Sequence, residues 1–236
     1  MPDSILHLHG FNGAQMLFNK ENYFSISKQA QAAKATLVAV SKTKPLEAIQ
    51  ELYDLGHRDF GENYVQELTD KQAQLPNDIR WHFIGHLQSN KVKYIAPFVH
   101  LIHGVDSVKL LREVNKQGLK HNRTIDVLLQ VHIAQEETKF GFGEEELLNT
   151  NWDIELWGLN NVRVTGLMGM ASFSENPNLV RGEFKNLKRL FDGHAQRQTP
   201  NFQLQTLSMG MSADYQIALE EGSNMIRVGS LLFGKR

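Results

Sequence analysis

The stretch "TLVAVSKTKPLEAIQELY" at residues 36–53 changes its period halfway. It opens apolar and β-branched, the composition of a buried strand. After Pro45 the apolar residues fall at helical spacing, and Gly56 closes the run. The same alternation continues along the chain. Apolar runs at 35–42, 58–62, 80–85, 99–106, 125–133, 162–170, 204–210 and 224–233 read as strands. Helical patterns lie between them, at 45–56, 63–75, 90–98, 107–121, from 143, at 178–196 and at 212–222. Strands alternating with helices imply right-handed crossovers and a parallel sheet. Eight such units in 236 residues predict an α/β fold, a single (β/α)8 TIM barrel. The run at 224–233 reads as strand throughout, so no helix is expected to follow it. The helical segment at 19–34 is expected to complete the outer ring instead. An open doubly wound sheet is the competing architecture. Its Gly-x-Gly-x-x-Gly fingerprint is absent after the first strand.

Composition narrows the function classes. Twenty-five Lys and Arg against 26 Asp and Glu leave a formal charge of −1, so no global field recruits nucleic acid or an anionic membrane. The chain has no cysteine, which excludes disulfides, thiolate metal sites and cysteine nucleophiles and fits a reducing cytoplasm. No apolar run reaches the ~18 residues of a membrane helix. The start has neither a basic leader nor a long apolar core. Residues 1–20 are expected to be an extension and 21–236 the barrel domain, with Met16 a possible natural start.

In a TIM barrel the functional groups sit where strands end. Side-chain alternation puts Val38, Val40 and Lys42 on one face, so Lys42 points into the mouth above an apolar interior. Lys44, past the strand beside Pro45, reads as a solvated helix-start residue. Lys42 can serve as a strand cap whose amine reaches water. It can also serve as a desolvated amine that forms Schiff bases. The other end of the chain bears on that choice. "SMGMSAD" sets Ser208, Gly210 and Ser212 between a strand and a helix N-terminus, the makings of an anion site. "IRVGS" sets Arg227, Gly229 and Ser230 at the eighth strand, and Gly229 can let backbone approach a ligand. Lysine, phosphate-type loop and a buried-strand arginine suit a ligand with an aldehyde, a phosphate and a ring nitrogen. Pyridoxal 5′-phosphate has all three.

"AVSKTKP", "DFGENYVQE", "WHFIGHLQSNK", "GLMGM", "SMGMSADYQIA" and "IRVG" together resemble the pyridoxal phosphate homeostasis protein family, from about residue 37 to the C-terminus. That family is similar to the N-terminal barrel domain of alanine racemase. The resemblance implies that Lys42 is the Schiff-base lysine and that Arg227 faces the pyridine nitrogen. It implies that Ser212 binds the phosphate with Ser208 nearby, and that Gly229 and Ser230 give it backbone amides. Asn63, His82 and Met168 would line the pocket. His86 stands where many relatives have proline.

An arginine partner keeps a pyridine nitrogen unprotonated and weakens the ring as an electron sink. Racemisation needs acid/base groups on both faces of the substrate carbon. The alanine racemase comparison supplies the second from another domain, for which no room is expected after Phe233. The expected role is therefore intracellular pyridoxal phosphate homeostasis: binding, buffering or delivering the cofactor with little or no catalysis. A single-domain racemase and a cofactor-free Schiff-base aldolase are the alternatives. Expected partners are the cofactor and enzymes that need it, with no nucleic acid, no membrane and a monomeric state. The pairs His7/His9, His82/His86 and His100/His103 have metal-like spacing, but without an acidic cluster no metal site is expected. "HLQSNKVKYI" reads as a solvated loop and helix start. "QEETKFGFGEEE" reads as an exposed loop, or as a lid hinged at Gly141 and Gly143.

Overall fold

The computed structural model describes residues 17–136 and 140–234. Most of the proposed extension and the centre of the proposed lid lie outside them. Helix α1 (Lys20–Ala32) precedes β1 (Thr36–Val40). There follow α2 (Leu46–Asp54), β2 (Asp59–Glu62), α3 (Val65–Gln72), β3 (Arg80–Phe83), α4 (Val92–Ile95), β4 (Leu101–Val105), α5 (Val108–Lys120) and β5 (Ile125–Val131). The second half holds α6 (Glu144–Asn149), α7 (Trp152–Glu155), β6 (Val162–Gly169), α8 (Pro177–His194), β7 (Gln198–Thr199), β8 (Phe202–Ser208), α9 (Tyr215–Glu220), β9 (Met225–Val228) and α10 (Ser230–Phe233).

The strands run β6-β5-β4-β3-β2-β1-β9-β8, and β6 pairs with β8 to close the ring. All eight pair in parallel; β7 joins β8 as an antiparallel two-residue hairpin arm. The molecule is the TIM barrel that the alternation predicts. Side-chain parity separates two cores. Leu37 and Ala39 face the helices with Phe60, Trp81, Phe83, Ile102 and Ile226. Val38 packs inside the barrel with Leu101, Leu128, Met168 and Met225. Thus Val38 does occupy the interior face on which Lys42 follows.

Three local features differ from the sequence expectation. The eighth strand stops at Val228, and residues 230–233 form a helical turn with Leu232 and Phe233 buried. A short apolar run does not distinguish a strand from a buried helical turn by period alone. Helix α1 completes the ring by packing on that turn: the Asn19 amide donates to Leu232 O at 2.6 Å and Asn22 Nδ2 to Leu231 O at 2.9 Å. Lys44 is not simply solvated, because its Nζ donates to Phe233 O at 2.8 Å and satisfies an end carbonyl of the same turn. Gly141 is not a free hinge. It has φ +140°, and a Cβ there would lie 2.8–2.9 Å from the backbone of β5 and His132. The next residue, Phe142, is fully buried and pairs with β5 through Phe142 N to Gln130 O and His132 N to Phe142 O.

Candidate functional site

The loops after β1, β2, β6, β8 and β9 enclose a cavity of about 910 Å3 at the C-terminal mouth of the barrel. Lys42, Asn63, Ser212, Arg227, Gly229 and Ser230 line it. Lys42 is half-buried, two residues beyond β1. The residues flanking it are tied down. Ser41 Oγ donates to Glu62 Oε1 at 2.7 Å, and Lys71 Nζ bonds Ser41 O, Glu62 Oε1 and Glu67 Oε1 at 2.6–2.8 Å. The Thr43 amide donates to Glu67 Oε1 at 2.5 Å, with Thr43 at φ +63°, a left-handed conformation that a β-branched residue rarely adopts. The backbone presenting Lys42 is thus clamped by a buried ion cluster. Burial pushes the Glu62 carboxyl up, against the opposing pull of Lys71, and Glu62 Oε2 has no hydrogen-bond partner.

Arg227 forms the cavity floor. It is 3% exposed, and its Nη1 donates to Ser208 Oγ at 2.5 Å and its Nη2 to Gly169 O at 3.1 Å. Burial pushes its guanidinium down to about 10, still charged at neutral pH. Across from it, the Gly229 amide donates to Ser212 Oγ at 3.2 Å. Gly229 lies where a Cβ would press on Val40 at 3.2 Å, so its smallness serves the β1–β9 packing beneath the site. Gly210 has φ +95°, and a Cβ would meet that of Ala218 at 2.5 Å. Only glycine fits that turn between β8 and α9.

Four of the sequence candidates do not line the cavity. Met168 is buried in the barrel interior, Gly210 supports the turn, and Ser208 sits under Arg227. His82 lies deeper, bonded to His103 at 3.0 Å and to Asp59 at 3.1 Å. His86 is away from it, stacked on Phe140 with ring centroids 4.2 Å apart and paired with Asp106 at 3.2 Å. Among the described residues no group of three side chains could hold a metal ion.

The loop after β6 went unnoticed in the sequence. Met170, Ala171, Ser172 and Phe173 line the wall. Glu183 of α8 fixes that loop by accepting from the Ser172 amide at 2.7 Å and from its hydroxyl at 2.6 Å. "GLMGM" was legible as a motif, but Ala171, Ser172 and Phe173 follow the end of β6, where no strand period shows which of them faces the cavity. Asp214 also lines the cavity and caps its own turn through the Met211 amide at 2.6 Å.

The donor set suits an anionic aldehyde with a ring nitrogen: an amine, a guanidinium, two serines and the backbone around Gly229. Asn63 adds a buried Oδ1 with no partner at the cavity wall. A missing partner at such an atom is what a ligand donor or a water would supply.

Residues 19–236 match the family described as alanine racemase, N-terminal domain. A protein of Aquifex aeolicus named pyridoxal phosphate homeostasis protein is 45% identical over 204 residues, covering 86% of this chain and 87% of its own. The protein of the same name from Haemophilus influenzae is 37% identical over 203 residues, covering 85% and 84%. PipY of Synechococcus elongatus, solved with PLP bound, superposes with a TM-score of 0.81 at 34% identity, covering 93% of this chain and all of PipY. Barrel, mouth and sequence agree, and this chain belongs to the pyridoxal phosphate homeostasis protein family, built on the alanine racemase N-terminal barrel.

Proposed function

We propose that this chain binds pyridoxal 5′-phosphate in the mouth cavity through a Schiff base to Lys42, and that it holds, buffers or delivers the cofactor within the cell. The convergence of Lys42, Arg227, Ser212 and the Gly229–Ser230 backbone on one cavity carries this reading. Lys42 is the tether and Arg227 the partner of the ring nitrogen. Ser212 and the amides of Gly229 and Ser230 receive the phosphate, and Asn63 completes the wall. Ser208 and Gly210 support these groups from behind, His82 and Met168 from within the barrel. Bound there, the cofactor supplies an electrophilic carbon and a ring that can accept electrons.

Two features support carriage over catalysis. A charged Arg227 donates to a ring nitrogen and does not protonate it, so the ring stays a weak electron sink. Besides Lys42 and Arg227, the titratable groups among the described lining residues are Glu175 and Asp214, and Asp214 is already engaged in its turn. A weak amino-acid racemase is the second reading, favoured by the alanine racemase barrel. It requires turnover of D- or L-amino acids that disappears in Lys42→Ala. Recipients of the cofactor would be enzymes that depend on it. The charge balance gives nucleic acid no foothold, and no helix of the described residues is long and apolar enough to cross a membrane. A monomer in the cytoplasm fits a site enclosed by one chain.

Borohydride reduction of cofactor-loaded protein followed by peptide mass spectrometry tests the assignment. The phosphopyridoxyl group is expected on Lys42, and Lys42→Ala should lose both the label and the visible absorbance. A label on Lys44 with Lys42 unmodified would refute it.

A further inference from the structure

A line of buried polar side chains runs down the barrel interior from the cavity floor. Arg227 Nη1 meets Ser208 Oγ at 2.5 Å, and Ser208 Oγ meets His103 Nδ1 at 3.1 Å. His103 Nε2 meets His82 Nδ1 at 3.0 Å, and His82 Nε2 meets Asp59 Oδ1 at 3.1 Å. Arg80 closes the line with two bonds to Asp59, at 2.7 and 2.5 Å. Ser208 and His103 are fully buried, His82 is 1% exposed and Arg227 3%.

The order of donors follows from chemistry. A guanidinium only donates, so Ser208 Oγ accepts from Arg227. A carboxylate only accepts, so His82 Nε2 carries a proton toward Asp59. Each remaining bond then needs one donor and one acceptor. With neutral imidazoles a single solution exists. Ser208 O–H donates to His103 Nδ1, and His103 Nε2–H donates to His82 Nδ1. Both histidines are Nε2–H tautomers, and every donor from Arg227 through His82 points toward Asp59, which Arg80 meets from the other side. The charged and titratable groups facing the pair are His57 before β2, Asp59 of β2, Arg80 of β3, His100 before β4 and Arg227 of β9. The His100 and His82 rings lie 5.3 Å apart. Two cations lie at the two ends of the line, and burial holds the central His103 well below the ordinary imidazole range, which favours the neutral form.

We propose that Ser208, His103 and His82 are positioning residues for Arg227: their one-directional hydrogen-bond line to Asp59 fixes the guanidinium under the cavity as an obligate donor. Because the Ser208 proton is committed to His103, Ser208 offers Arg227 only lone pairs. Breaking the line frees that hydroxyl and loosens the guanidinium. The role toward a ring nitrogen rests on the pyridoxal phosphate reading; the tautomers do not.

Two measurements separate the parts. Long-range 1H–15N NMR of the imidazoles in cofactor-free protein should show His82 and His103 as neutral Nε2–H forms at pH 7. An imidazolium at either position, or an Nδ1–H form of His103, overturns the proposal without reference to any cofactor. In cofactor-loaded protein, Ser208→Ala and His103→Phe should shift the pH midpoint of the visible absorbance by roughly half a unit or more. Ser208→Thr, which keeps the hydroxyl, should restore it. Midpoints unchanged in both breaking variants, with the cofactor still bound and each variant folded by circular dichroism, overturn the positioning role alone. Wild-type protein that binds no pyridoxal phosphate overturns the function reading and the role toward the ring with it, while the NMR result stands or falls separately.

Discussion

Two lysines, two residues apart, have different duties, and side-chain parity separates them. Lys42 continues the inward face of β1 into the cavity, whereas Lys44 turns aside to bond Phe233 O. Parity was readable in the sequence because strand alternation is local. The clamp around Lys42 was not, because Lys71 lies 30 residues from Ser41 and meets it only in the folded chain. Lys71→Met should therefore be more damaging than a surface lysine change. It strands Glu62, fully buried, without its cation, and the expected loss is about 3–5 kcal/mol in urea unfolding. The pH dependence has a definite sign. The Glu62 carboxyl is raised in the folded state, so its protonated form is favoured there. Stability is retained below its unfolded value and lost as pH climbs through the folded one. Losing Lys71 raises it further, so the deficit of Lys71→Met should be smaller at pH 5 than at pH 8. Asp59 behaves oppositely. Burial alone would raise it, but the bonds from Arg80 and His82 hold it well below its ordinary value. Its contribution is present above pH 4 and fades only on strong acidification.

At the scale of elements, the strands were the readable part and the turns between them less so. Period-two runs identify the strands because one face packs inside the barrel and the other under helices. The C-terminal "SLLF" misled for a physical reason: four residues give too short a sample to tell a buried strand from a buried helical turn. His82 illustrates a second limit. Parity places it inward, but parity does not give depth, and β3 delivers it to the polar line beneath the cavity floor. The turn between β8 and α9 offers a sharp test. Gly210→Ala adds left-handed strain of about 1–3 kcal/mol. Crowding against Ala218 adds about 1–3 more. A combined loss of about 2–6 kcal/mol is expected on urea unfolding. Since Gly210 O accepts the Arg227 amide, cofactor affinity should weaken as well. A variant as stable as the wild type would show that the turn relaxes freely.

Over the whole molecule, the candidate site straddles one junction. Lys42 follows β1 and Arg227 lies on β9, the first and last strands of the barrel, which pair as Val38↔Arg227 and Ala39↔Val228. Helix α1 is tied to the same junction through α10, across a separation of 209 residues between Asn22 and Leu231. Such long-range closure is slow to form and depends on the rest of the barrel. A fragment ending at residue 224 is expected to show no cooperative unfolding and no visible absorbance with pyridoxal phosphate. Either signal in that fragment would mean that the junction is dispensable. For a chain made from its N-terminus, the pairing of β1 with β9 also acts as a timer. Lys42 leaves the ribosome early, but Arg227, the proposed ring-nitrogen partner, follows only 185 residues later, by the spacing of Lys42 and Arg227. A nascent chain therefore carries the lysine for most of its synthesis without the pocket that retains a cofactor, and capture awaits the finished barrel.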